Sequence, residues 1–279
     1  MRPSWGRPLL LTVGLVLIAT AAAVVGSLIG GRGGWTALDA SRDGDHALTF
    51  VDVAADVGLN AAHGAFAWDQ SADPVAMMGG GLCWLDYDRD GWTDLFVVNS
   101  YAEAEWARWQ DEGGLPASQL FRNVAGEFVD VTSQVGIDLA ARGLGCVAAD
   151  LDGDGDTDLY VTTATFNHLL LNEGGAFRSV GEEAGVAAYG WQTGAAAGDV
   201  NGDGLTDLYV AGYVNLLSQD TSSTQGFPRD HEGLPDLLYL GTGVVNGIPR
   251  FTEVALDEER GYGLGVLLAD LDGDLDLDV

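Results

Sequence analysis

Short apolar runs separated by acidic turns set the pattern of the chain after residue 48. A stretch of small and apolar residues leads into each turn: G-G-G-L-C-W-L before Asp86, G-L-G-C-V-A-A before Asp150, T-G-A-A-A-G before Asp199 and G-L-G-V-L-L-A before Asp270. A β-type run follows the first three turns, at Leu95–Val98, Leu159–Val161 and Leu208–Val210. Strand, tight turn and strand predict a hairpin. A third run recurs at Leu120–Asn123, Leu169–Asn172 and Leu238–Gly241, and a fourth at Phe128–Val131, Phe177–Val180 and Phe251–Val254. Four strands per repeat is the content of a propeller blade, so the pattern predicts an all-β fold, a β-propeller of four-stranded blades.

An isolated copy of the fourth run opens this region. Phe50–Leu59 matches Phe128–Ile137 at six of ten positions. A lone last strand ahead of the first full repeat predicts ring closure, with this strand completing the final blade. The repeats run over about 76–137, 138–186 and 187–258, with an incomplete fourth over 259–279. The turns begin at 86, 150, 199 and 270, whereas a plain four-stranded blade needs about 40–50 residues. The first and third intervals therefore hold insertions, 100–118 and 212–236. Insertions in a repeat array gather on one face, often the binding face.

The turns themselves carry the chemistry. They read D-Y-D-R-D-G-W-T-D, D-L-D-G-D-G-D-T-D, D-V-N-G-D-G-L-T-D and D-L-D-G-D-L-D-L-D. A hard cation takes about 6–8 oxygens, and acids or amides at positions 1, 3, 5 and 9 of one tight loop can supply them. The candidate ligands of Ca2+ are Asp86, Asp88, Asp90 and Asp94 in loop one, with the backbone carbonyl of Trp92. Loop two offers Asp150, Asp152, Asp154 and Asp158, with the carbonyl of Asp156. Loop three offers Asp199, Asn201, Asp203 and Asp207, with that of Leu205. Loop four offers Asp270, Asp272, Asp274 and Asp278, with that of Asp276. The side chains of Asp156 and Asp276 are expected to be solvated extra charge. Loop four has Leu275 where the others have Gly, so its turn is expected to be strained. An EF-hand would need a bidentate Glu at position 12 and flanking helices; position 12 is Val97, Val161 or Val210, and the flanks read as strand. Turn chemistry without metal explains one such loop better than four in register.

Charge and composition sharpen this. The 279 residues carry 42 acids against 12 bases, a formal charge of −30, and 17 of the acids lie in the four loops. So acidic a surface repels nucleic acid. With 47% hydrophobic residues the chain is no disordered acidic tail.

The N-terminus reads as export. Arg2 and Arg7 precede an uncharged run from Pro8 to Gly31, longer than the ~20 residues that span a bilayer. Residues 1–33 are either an uncleaved hydrophobic helix in the membrane or a cleaved signal, with Ala19, Ala21 and Ala23 offering a cleavage site. Residues 34–47 read as linker, and 48–279 as the partial propeller. The expected localisation is extracytoplasmic. Cys83 lies three residues before its loop and Cys146 four, which places them on opposite faces of their strands. Two buried apolar residues is the plainer expectation; an oxidising compartment also allows a disulfide.

The order of these elements resembles the FG-GAP/VCBS-type repeats of integrin-α-like β-propellers. It is similar to the repeat region of cartilage-acidic-protein-like (ASPIC/UnbV-associated) proteins, on G-x-G, D-x-[DN]-x-D-G, L-[FLY]-x-N and F-x-x-V over about 48–279. That resemblance implies seven blades, of which about three and a half are present, so the chain reads as a fragment. It also implies calcium in the blade loops and an extracytoplasmic binding role toward a protein or carbohydrate ligand.

No catalytic motif accompanies the loops. His46, His63, His168 and His231 share no motif, and G-x-S-x-G, H-E-x-x-H and P-loop sequences are absent. His168 is expected in a surface turn and His231 in a solvated loop. Trp106 and Trp109 could stack on a sugar or pack their insertion against a blade. Trp84, Trp92 and Trp191 read as structural. The reading is an interaction module; the alternative is a calcium-dependent carbohydrate-active enzyme, which requires a basic residue and a calcium loop in one cleft.

Overall fold

The computed structural model describes residues 49–66, 73–256 and 260–279. The expected hydrophobic helix and linker lie outside them, and no helix among the described residues is long and apolar enough to cross a membrane. Val53–Val279 forms one compact unit. Of the other unit, Met1–Asp52, the described residues 49–52 form no regular element.

Three four-stranded antiparallel sheets make up the compact unit, each wound in chain order. The first holds β1 (Leu82–Leu85), β2 (Asp94–Val97), β3 (Gln119–Val124) and β4 (Glu127–Asp130). The second holds β5 (Gly143–Ala149), β6 (Asp158–Thr163), β7 (His168–Asn172) and β8 (Phe177–Ser179). The third holds β9 (Gln192–Gly198), β10 (Asp207–Gly212), β11 (Leu237–Val245) and β12 (Ile248–Val254). These are propeller-like blades. All three complete strand sets coincide with the repeating runs of the sequence. In residues 260–279 the bridge from Ala269 to Asp278 marks the fourth hairpin, and Gly261 bridges to Leu234.

The sheets stack face to face, and the two-residue period of a strand decides which neighbour each side chain meets. Leu159 and Val161 of β6 pack with Phe96 and Leu120 of blade one. Tyr160, between them, packs with Leu208, Val210 and Tyr239 of blade three. β6 is therefore buried throughout, which is why it reads as a continuous apolar run. The small residues ahead of each acidic loop answer a second constraint. β5 and β9 approach so closely that a Cβ on Gly145 would collide with the Thr193 carbonyl oxygen. The Thr162 hydroxyl donates to that same carbonyl at 2.8 Å.

Two expectations need correction here. Phe50–Val53 is not a strand. It leads into a turn whose Val57 carbonyl accepts from Phe128 N–H at 2.7 Å, as Val135 accepts from Phe177 at 2.7 Å. The similarity of 50–59 to 128–137 thus reports a repeated turn docked on the next blade's outer strand. The cysteines are not two separate thiols: Cys83 and Cys146 form a disulfide, with Cα atoms 6.0 Å apart. Cys83 pairs across its hairpin with Phe96 and Cys146 with Val161, two and three residues into their partner strands, so they do face opposite sides of their own sheets. In stacked sheets, opposite sides of neighbouring blades confront each other, and that offset is what lets them join.

The bond closes a loop across a separation of 63 residues, and chain-entropy reasoning assigns such a closure about 4 kcal/mol. The double variant Cys83→Ala/Cys146→Ala should lower the unfolding free energy by about 2–4 kcal/mol in a denaturant titration; a change under about 0.5 kcal/mol would contradict the cross-link's role.

Candidate metal centres

Each acidic loop joins the first strand of a blade to its second, and the four share one hydrogen-bond scheme. The position-1 carboxylate accepts backbone N–H groups from its own loop: Asp86 from Asp90 and Gly91, Asp150 from Gly153 and Gly155, Asp199 from Gly202, Asp203 and Gly204, Asp270 from Gly273 and Leu275. Position 3 accepts from position 5 in loops two, three and four, through Asp152, Asn201 and Asp272. Position 5 accepts from position 7, through Asp90, Asp154, Asp203 and Asp274. Such a tight curl needs left-handed backbone at position 6, where Gly91, Gly155 and Gly204 have φ of 87°, 88° and 84°. Leu275 is held there at φ 80°, so the strain expected of loop four is present.

Position 9 does something the sequence reading did not assign. Asp94, Asp158 and Asp207 are fully buried, and each ties its loop to the third strand of its blade. Asp94 accepts from Tyr87 at 3.1 Å and Asn123 at 2.7 Å. Asp158 accepts from Leu151 at 2.8 Å and Asn172 at 2.8 Å. Asp207 accepts from Val200 at 2.9 Å and Gly241 at 2.8 Å. Asp278 keeps the first of these bonds, from Leu271 at 2.8 Å. Burial raises the pKa of Asp94, against the donors Asn123 and Tyr87. It pushes Asp158 up to about 7, the N–H groups of Asn172 and Leu151 only partly offsetting the desolvation.

Three carboxylates converge within 4.8 Å in three loops: Asp86, Asp88 and Asp90 in loop one; Asp150, Asp152 and Asp158 in loop two; Asp270, Asp272 and Asp278 in loop four. These clusters can hold a metal ion. Asp94, Asp154 and Asp274 stand outside those triplets. In loop three the amide of Asn201 takes the place of the third carboxylate and donates to Asp203 at 3.0 Å. The donor set fits a hard cation: all ligand atoms are oxygen, and Asp88 Oδ1 is buried with no hydrogen-bond partner. Trp92 and Leu205, proposed for their carbonyls, are partly exposed at position 7.

Asp156 is not solvated extra charge. It pairs with Arg89 at 2.6 Å and accepts from Gly174 N–H at 2.9 Å. Asp276 is exposed, as expected, and its neighbour Asp274 raises its pKa. Arg89 and Arg122 were missed by a reading that sought only oxygen ligands. So were Asn123 and Asn172, whose amides donate to the Thr93 and Thr157 carbonyls at 3.0 and 3.2 Å. The Asn that closes the runs Leu120–Asn123 and Leu169–Asn172 was the available signal; Gly241 stands there in the third run. Asn172 also donates to the Tyr87 carbonyl at 2.8 Å, linking blade two to the first loop.

The meander topology puts both insertions at the blade ends opposite the acidic loops. Residues 100–118 form a short 3-10 turn and the helix Trp106–Asp111, with Trp106 half exposed. Beside them Arg142 is buried against Asp73 at 2.5 Å and Glu103 at 3.2 Å. Residues 212–236 pack on fully buried Trp191, which stacks on Phe227 at 5.6 Å and meets Tyr213 edge-on at 4.9 Å. His231 is part of this packing, 2.8 Å from Asp230 and edge-on to Phe227, and not a solvated loop residue. His168 opens β7 in register with Val161 and is half-buried, so the surface-turn expectation fails there too; burial lowers its pKa. Trp84 and Trp92 are more exposed than purely structural residues would be.

The FG-GAP-like repeat family matches residues 86–161 and 150–210 of the chain, so this stretch carries FG-GAP repeats. No curated protein matches the chain.

Replacing Asp158 by Ala leaves two buried N–H donors unpaired, and each such loss costs about 1–3 kcal/mol. The Asp158→Ala variant should therefore unfold at least about 2 kcal/mol more easily in EGTA, with no cation involved. Leu275→Gly should gain about 1 kcal/mol by relieving the left-handed strain, read as a raised melting temperature.

Proposed function

We propose that this chain is an exported, calcium-stabilised β-propeller module that binds a protein or glycan ligand through its insertions. The observation that carries the reading is the separation of two faces. Acidic loops with one shared scheme fill one end of the blades, and both insertions occupy the other. The loops thereby serve the scaffold, and the variable surface is left to the ligand. Calcium is favoured over softer metals by an all-oxygen set in flexible turns. The Cys83–Cys146 disulfide supports an oxidising compartment, and the basic-then-apolar segment over 1–33 supports export, by anchor or cleaved signal.

One observation favours a carbohydrate-active enzyme as the second reading. A cleft of about 230 Å³ is lined by Asp150 and Asp152 of loop two, Leu205 of loop three, and Arg250. One N–H of the Arg250 guanidinium is already given to the Glu183 backbone carbonyl. A glycan array probed with calcium and with EGTA separates the two: retention without turnover supports the module, and product formation supports the enzyme.

Calcium should raise the melting temperature, and excess EGTA should lower it by several degrees; an unchanged melting curve would sink the calcium reading. Proton and cation also compete. A carboxyl raised to about 7 gives the ion-free fold a contribution present at low pH and lost as pH rises through 7. A cation needs the ionised form, so calcium affinity at loop two should fall roughly thirtyfold between pH 8 and pH 5.5, as seen by calorimetry.

A further inference from the structure

Loop one carries two guanidinium groups that the other loops lack. Arg122, on β3, lies across its carboxylates, with Nε 2.8 Å from Asp88 Oδ2 and Nη2 2.8 Å from Asp90 Oδ2. The matching residues on β7 and β11 are Leu171 and Leu240. Arg89 stands at position 4, where the other loops have Gly153, Gly202 and Gly273. It leaves loop one for the next blade, lying 2.6 Å from Asp156 Oδ1 and 3.3 Å from the Asp154 carbonyl oxygen.

A calcium ion needs carboxylate oxygens at about 2.3–2.6 Å. The Asp88 Oδ2 and Asp90 Oδ2 atoms that face the guanidinium at 2.8 Å are taken from such an ion, which keeps Asp88 Oδ1, and the two cations repel each other. We propose that Arg122 is the built-in counter-ion of loop one, so that this loop takes calcium more weakly than its own carboxylates allow and fills only when Arg122 turns out to solvent. The inference rests on the calcium reading and adds a resident competitor to it. On β7 and β11 Leu171 and Leu240 supply no such group, and Arg89 reaches loop two only at the Asp156 carboxylate and the Asp154 carbonyl. Arg122 is 39% exposed, so its release breaks two surface ion pairs and little packing. Exposed pairs are weak, and the resulting handicap is of the order of tenfold in affinity.

Trp92, at position 7 of loop one, supplies a local probe, because indole sensitises the luminescence of terbium bound beside it. The full chain would be titrated with Tb3+, with Trp92→Phe identifying the loop-one signal and calorimetry counting all sites. The expected result is a Trp92-dependent midpoint that moves about tenfold lower in Arg122→Leu. Arg122→Gln, which keeps the polar side chain without its charge, should shift the midpoint the same way and covers the case in which the leucine variant misfolds. Lanthanide binding with equal midpoints in wild type and both variants would overturn the counter-ion and leave the calcium reading standing. No binding of Tb3+ or Ca2+ by any of the proteins would overturn both.

Discussion

A buried aspartate that accepts two backbone N–H groups is the constraint on which each blade depends. Asp94, Asp158 and Asp207 begin the second strands of their sheets, with one oxygen toward the loop and the other toward the third strand. Three strands are thereby locked at one point. The cost is a carboxylate in a dry site, evident in the raised pKa of Asp94 and Asp158. Each remaining acid of the loop adds repulsion near that buried charge, and a cation in the loop offsets both. The acidic cluster that can hold a cation and the blade's register are in this sense one device.

From that point the fold propagates outward by stacking. The second strands β2, β6 and β10 are buried along almost their whole length, so no blade can hold its core alone. Asn172 carries the connection from blade two to the Tyr87 carbonyl of the first loop, and the Thr206 hydroxyl carries it from loop three to the Asp150 carbonyl at 3.0 Å. Loops of adjacent blades are therefore linked through backbone groups of the proposed cation-binding turns.

Much of this was legible in the sequence because it rests on local periodicity. The three complete strand sets, the acidic turns and the strained Leu275 all follow from spacing and turn chemistry within one repeat. What escaped involves partners distant in sequence. The position-9 carboxylates were read as metal ligands alone, since the N–H groups they accept lie up to 34 residues away. The half-register offset of Cys83 and Cys146 spoke against a bond only as long as the strands were pictured in one sheet. Phe50–Val53 resembled a strand because the turn after it is the part that repeats. Arg89 and Arg122 were invisible because Arg89 meets the Asp154 carbonyl 65 residues away and Arg122 the Asp90 carboxylate 32 residues away.

Native-state hydrogen exchange tests the central claim most directly, through the N–H groups of Tyr87, Asn123, Leu151, Asn172, Val200 and Gly241. If the buried aspartates hold the strand registers, these amides exchange among the slowest in the chain, and calcium slows them further. Exchange as fast as that of the exposed loop amides at Asp90 or Gly204, with and without calcium, would contradict the account.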